Sequence, residues 1–225
     1  MKKSKHGMTS EQATDKKISG HLIEEEFVFR NGGEVLKGTG KVDVTNQYDN
    51  YSIKRGKKVQ WALLSQNTVL SDFLSNGLQV REITNYFDFL PEKSEYIQNK
   101  HKYKKNIHAE ELSKFVSSNI KDILNIFITK DGQVNKLAFY DDRTESNGFG
   151  SGNFFIFNAQ DSIKTLCEMT KEVYFTPGGK VVIKGDLQLF EIELRKGTNH
   201  KKLLVHSHTR RILDILKSKI DFDVK

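Results

Sequence analysis

At 225 residues, with 36% of them apolar or aromatic and 29% charged, the chain has the composition of one folded domain and not of a disordered polymer. Thirty-six Lys and Arg against 29 Asp and Glu leave a net charge of +7, which suits a polyanionic partner such as nucleic acid or an anionic membrane surface. The single cysteine, Cys167, excludes a disulfide framework and a cysteine-based zinc site, no apolar run reaches membrane-spanning length, and residues 1–5 lack the apolar core of a signal peptide, so a cytoplasmic setting is expected.

In chain order, residues 1–17 read as a basic N-terminal segment, and Thr9 with Gln12 forms a capping box for a short first helix. A second helix is predicted over 18–29, where Ile18, Leu22, Ile23 and Phe27 recur at helical spacing and Gly32 and Gly33 end the run. From 38 to 64 the period falls to two, with Val42, Val44, Tyr51 and Ile53 alternating with polar residues around a turn at 47–50. That is a hairpin signal, and 57–64 continues it or starts a helix. Further helices are predicted over 71–77, 109–125, 161–170 and 209–220, and strands over 137–140, 154–157, 173–175, 180–183 and 187–194. The fold class is α/β, a mixed central sheet flanked by helices, in a single domain over 18–225.

A turn of two or four residues centred between Tyr48 and Asp49 pairs Val44 with Ile53 and Asp43 with Lys54. Val44 and Ile53 then share a buried face, while Asp43, Thr45, Ser52 and Lys54 share the other. Asp43 could ligate a hard divalent cation such as Mg²⁺, and Lys54 could contact a scissile phosphate or help to deprotonate a water. A plain cross-strand ion pair accounts for the same two residues.

The order of these residues resembles the PD-(D/E)XK nuclease superfamily, and within it the type II restriction endonucleases. The matching residues are Gly20, His21, Leu22, Ile23 and Glu24 on the helix, Lys41 to Val44 on the first strand and Tyr51 to Lys54 on the second. Val42 stands where the family name has proline, and Ser52 where the second acid belongs, so a helix carboxylate would replace that ligand: Glu24, with Glu25 and Glu26 as competitors. The resemblance covers about residues 20–64. It implies a restriction-endonuclease-like core and Mg²⁺-dependent, sequence-specific hydrolysis of double-stranded DNA. It further implies a homodimer, a companion DNA methyltransferase acting on the same site, and the Ile53 carbonyl as a further metal ligand. Gln60, an even number of residues beyond Lys54, would share its face if the strand continues.

Residues 18–125 would then form the catalytic core and 126–225 the DNA-recognition half, with Arg195, Lys201, Lys202, His206, His208, Arg210 and Arg211 on a phosphate-gripping surface. Residues 100–105, with four lysines and Tyr103, suit a DNA-clasping loop. The glycines at 148, 150 and 152 lack the Lys and Ser or Thr of a P-loop and read as a loop, and Cys167 reads as buried. A structure-selective repair nuclease or junction resolvase of the same superfamily, and a DNA-binding module without catalysis, stand as alternative readings.

Overall fold

The computed structural model describes residues 10–37, 41–103, 105–144, 151–195 and 200–225, and the side chains among them except those of 10–17, 19 and 144. Residues 1–9, with the Thr9 cap, Lys104, and the glycines at 148 and 150 lie outside the described residues.

Helix α1 (Ser10–Asn31) is one continuous helix, not two, because Gly20 sits inside it without a packing conflict that would break it. Ile23 and Phe27, one turn apart, are its buried anchors. The helix stops at Gly32 and Gly33, whose φ angles of 77° and 102° suit glycine, and Gly32 N donates to Val28 O to close the last turn.

The chain then lays down β1 (Glu34–Val35), β2 (Val44–Thr45) and β3 (Asn50–Arg55) as an antiparallel meander. At Gly56, with φ 103°, it turns out of that sheet, and β4 (Val59–Leu64) belongs to another. The helices α2 (Gln66–Ser75), α3 (Arg81–Asp88), α4 (Lys93–Gln98), α5 (Ala109–Ser118) and α6 (Ile120–Thr129) follow. The single helix expected over 109–125 is therefore two, separated at Asn119, whose backbone leaves helical angles at φ −125° and ψ 30°. The remaining elements are β5 (Lys136–Asp141), β6 (Asn153–Asn158), α7 (Ala159–Met169), β7 (Glu172–Phe175), β8 (Val181–Lys184), β9 (Gln188–Leu194), β10 (Leu203–Ser207), α8 (Thr209–Lys219) and β11 (Asp223–Val224).

Two sheets result, in an α/β fold. The first, in the order β1-β2-β3-β5-β6-β11, is mixed: β3 and β5 run parallel and the other neighbours antiparallel. The second, β4-β10-β9-β8-β7, is antiparallel throughout. One face of the first sheet is covered by α1 through a cluster of Ile23, Phe27, Val44, Tyr51, Tyr140 and Phe154. Its other face contributes Leu137, Phe139 and Phe157 to a larger core shared with Trp61, Phe190 and Val205 of the second sheet. Strand pairing crosses residue 125 for this reason. The 18–125 part supplies β3 to β5 and β4 to β10, so the two expected halves interleave strand by strand. Among the described residues no helix is long and apolar enough to cross a membrane.

Candidate active site

The hairpin register differs from the expected one by two residues. Thr45 pairs with Asn50 and Val44 with Tyr51, and Asp43 N donates to Tyr51 O at 2.8 Å, so Asp43 faces Ser52 instead of Lys54. The cause is the loop at 46–49: Asn46 Oδ1 accepts from the backbone N–H of Tyr48 (2.9 Å) and of Asp49 (2.8 Å), while Asn46 N donates to Asp49 O (2.9 Å). A side chain that closes its own turn moves the centre by one residue and the pairing by two. An even shift leaves every side chain on its expected face.

On that face Asp43 Oδ2 gathers three donors: Ile53 N at 2.6 Å, Ser52 Oγ at 3.2 Å and Lys54 Nζ at 3.4 Å. Oδ1 takes no hydrogen bond from a described residue. Lys54 Nζ donates to Ser52 Oγ at 2.7 Å and to Ile53 O at 3.0 Å. Ser52 is fully buried and Lys54 nearly so. The serine hydroxyl therefore forms a neutral bridge between the carboxylate and the ammonium.

Glu24, half-buried on α1, lies within electrostatic range of Asp43 and Lys54. Burial raises its carboxyl above the usual range, the hydrogen bond with His21 opposes this, and the charges of Asp43 and Lys54 act on it in opposite senses. Its Oε2 lies 3.0 Å from His21 Nδ1. Of its competitors, Glu26 accepts from Arg30 Nε at 2.7 Å and Glu25 is exposed. Glu24 is the member of the trio whose ionisation is coupled to the hairpin.

Gln60 does not join them. The strand does not continue past Gly56, and on β4 Gln60 is exposed while Trp61 turns inward. The Trp61 ring lies 5.6 Å from both Lys54 Nζ and Lys41 Nζ. Lys41, which the motif had treated only as a flank, donates to Trp61 O at 3.0 Å. Its ammonium is held well below the usual lysine range by burial and then by the neighbouring charge of Lys54. Its position two residues before Asp43, on the same face of an extended segment, was the available signal.

Several residues of the expected DNA-gripping surface are engaged within the protein. Lys201 Nζ lies 3.6 Å from Glu92, Arg210 donates to Asp142 at 2.7 Å, and Arg211 donates to the Gln188 carbonyl at 3.1 Å. Arg195 and Lys202 make no side-chain hydrogen bond or ion pair with a described residue. His206, on β10, and His208, just before α8, surround a carboxylate: His208 Nε2 is 3.6 Å from Glu191, and His206 pairs with Glu191 across the sheet. Burial, then nearby cations, hold both imidazoles below their usual range. The lowered direction weakens the case for them as charged phosphate grips. The Cys167 thiol is half-buried and pushed up by burial, in keeping with an inert side chain.

Among the described residues no group of three or more His, Cys, Asp or Glu side chains could hold a metal ion. The oxygens present are nevertheless of the right kind for Mg²⁺, which is commonly bound by one or two carboxylates and keeps several waters. Asp43 Oδ1 takes no hydrogen bond from a described residue, Glu24 is raised in part by the charge of Asp43, and the Ile53 carbonyl accepts from Lys54 Nζ at 3.0 Å. Comparison with known proteins gave no matching family model, no similar curated protein and no similar solved structure.

Proposed function

We propose that the chain is a Mg²⁺-dependent, sequence-specific endonuclease for double-stranded DNA, resembling the type II restriction enzymes of the PD-(D/E)XK superfamily. One observation carries the reading: Asp43, Ser52 and Lys54 are hydrogen-bonded together on one face of the hairpin, with the half-buried Glu24 of α1 within electrostatic range of Asp43 and Lys54. The helix, the antiparallel meander and the parallel neighbour β5 surround these residues, which supports the reading.

Asp43, Glu24 and the Ile53 carbonyl would hold the cation, which when bound lowers the pKa of a coordinated water and polarises the phosphate. Lys54, oriented by its hydrogen bonds to Asp43 and Ser52, would meet the non-bridging oxygens and stabilise the negative charge that grows during attack. Trp61 would exclude water behind the two lysines. Cutting both strands calls for two such sites, hence a homodimer, and protection of the host's own DNA calls for a companion methyltransferase on the same site. Ser52 in place of the second acid favours the other class, a DNA-binding module without catalysis.

The test is cleavage of supercoiled plasmid and of long linear DNA in Mg²⁺ and in chelator. The wild-type protein is expected to give discrete, Mg²⁺-dependent bands from long DNA, with Asp43→Ala and Lys54→Ala slower by on the order of 100-fold or more. Metal-independent binding without product, or equal cutting by both variants, refutes it. A product set by junctions or flaps instead of sequence would assign the chain to the structure-selective nucleases.

A further inference from the structure

We infer that the cavity between α3, the turn joining β7 to β8, and the end of β9 is a pocket for a guanine base. The inference rests on the reading of the chain as a DNA-acting protein and adds a binding site far from the hairpin in sequence. The cavity measures about 220 Å³ and is lined by Tyr86, Phe89, Tyr103, Gly178, Glu193 and Arg195, among others. That is below the roughly 300–1,000 Å³ of sites for drug-sized ligands, and it suits one heterocycle better than a whole cofactor.

Its walls divide by chemistry. Phe89 and Tyr103 meet edge to face at 5.8 Å, and the Tyr103 hydroxyl is fixed by Glu95 Oε1 at 2.6 Å, so this aromatic wall is held in place. Tyr86 is buried and donates to the Gly179 carbonyl at 2.6 Å, which ties α3 to the turn. The Tyr86 phenol is held well above its usual range by burial and then by the charge of Glu193, which sets that carboxylate against the same wall.

Glu193 Oε2 lies 3.2 Å from Lys180 Nζ, while its other oxygen takes no hydrogen bond from a described residue. Arg195, two residues on and on the same side of the strand, has no described partner. A carboxylate and a guanidinium side by side complement guanine. Its N1–H and N2–H₂ are adjacent donors for the carboxylate, and O6 and N7 are acceptors for the arginine. Adenine and cytosine each present a ring-nitrogen acceptor where guanine has N1–H, and thymine presents only one donor. Lys180, whose ammonium lies 3.2 Å from Glu193, holds that carboxylate at the cavity wall. A base in a duplex reaches such a pocket only by leaving the stack, which an unpaired guanine does at low cost.

The test needs no metal and no cleavage, so its failure is separate from failure of the nuclease reading. Isothermal titration with dGMP, dAMP, dCMP and TMP, and binding of duplexes carrying one bulged guanine, one bulged adenine or no bulge, are compared for wild type, Glu193→Gln and Arg195→Ala. Preference for dGMP and for the guanine bulge, each on the order of tenfold and erased by either substitution, is expected. Preference for dGMP without one for the bulge would assign the pocket to a free nucleotide. Equal binding of all four nucleotides with no bulge preference, or a guanine preference that survives both substitutions, overturns the proposal.

Discussion

Asp43 uses one carboxylate oxygen for three donors, and Ser52 connects it to Lys54 through a hydroxyl that both accepts and donates. Ser52→Ala would leave a nearly buried ammonium short of one acceptor, so a loss of about 1–3 kcal/mol in chemical denaturation is expected, together with slower cleavage. Glu191 offers a pH test remote from the hairpin. Burial alone would raise its carboxyl, but hydrogen bonds from Lys58 at 2.5 Å and Lys180 at 3.0 Å outweigh this and bring it from 4.5 down to about 2. A depressed carboxyl stabilises the fold above its unfolded value and loses that contribution as the pH falls through its folded value. The Tm of wild type should therefore exceed that of Glu191→Gln at pH 6, and the gap should close between about pH 4.5 and pH 2. A constant gap would show that Glu191 is not held by its lysines. At this scale the faces of the hairpin were legible in the sequence, because alternation decides them. The register was not, because it depends on Asn46 folding back on its own turn. The downward shift of His206 and His208 was also illegible, since it comes from burial and from cations on other elements.

At the scale of elements, the junction between α1 and the meander controls where Glu24 lies. Gly33 has φ 102°, and a Cβ there would stand 2.5 Å from the Thr45 carbonyl. Gly33→Ala should cost more than about 1 kcal/mol in chemical denaturation and slow cleavage as α1 shifts. Phe27 is fully buried against Tyr51 at 4.9 Å and Phe154 at 5.1 Å, and Phe27→Ala should cost about 3–5 kcal/mol. Most helices and strands were readable from period and turn residues. Not predicted were α3, α4, β1, β10 and β11, and three further differences have local causes: Gly20 is tolerated inside α1, Asn119 divides α5 from α6, and Gly56 directs the chain out of the first sheet. That last turn removed Gln60 from the site and brought Trp61 in.

At the scale of the molecule, the two sheets share one core, and each takes strands from both parts of the chain. A fragment of residues 1–125 would lack β5 and β10, the partners of β3 and β4, and should show no cooperative unfolding and poor amide dispersion by NMR. A folded fragment would contradict the interleaved topology. Such pairing was not legible because periodicity identifies a strand without naming its neighbour. The α/β class and the alternating hairpin could be read from one stretch of sequence; the approach of α1 to the hairpin needed the fold. The most direct measurement is the single-turnover rate of plasmid cleavage in Mg²⁺ for wild type, Asp43→Asn, Glu24→Gln and Glu25→Gln. Losses on the order of 100-fold or more are expected for Asp43→Asn and Glu24→Gln, with Glu25→Gln within about threefold of wild type. No Mg²⁺-dependent product from the wild type, or undiminished rates for Asp43→Asn and Glu24→Gln, would contradict the account.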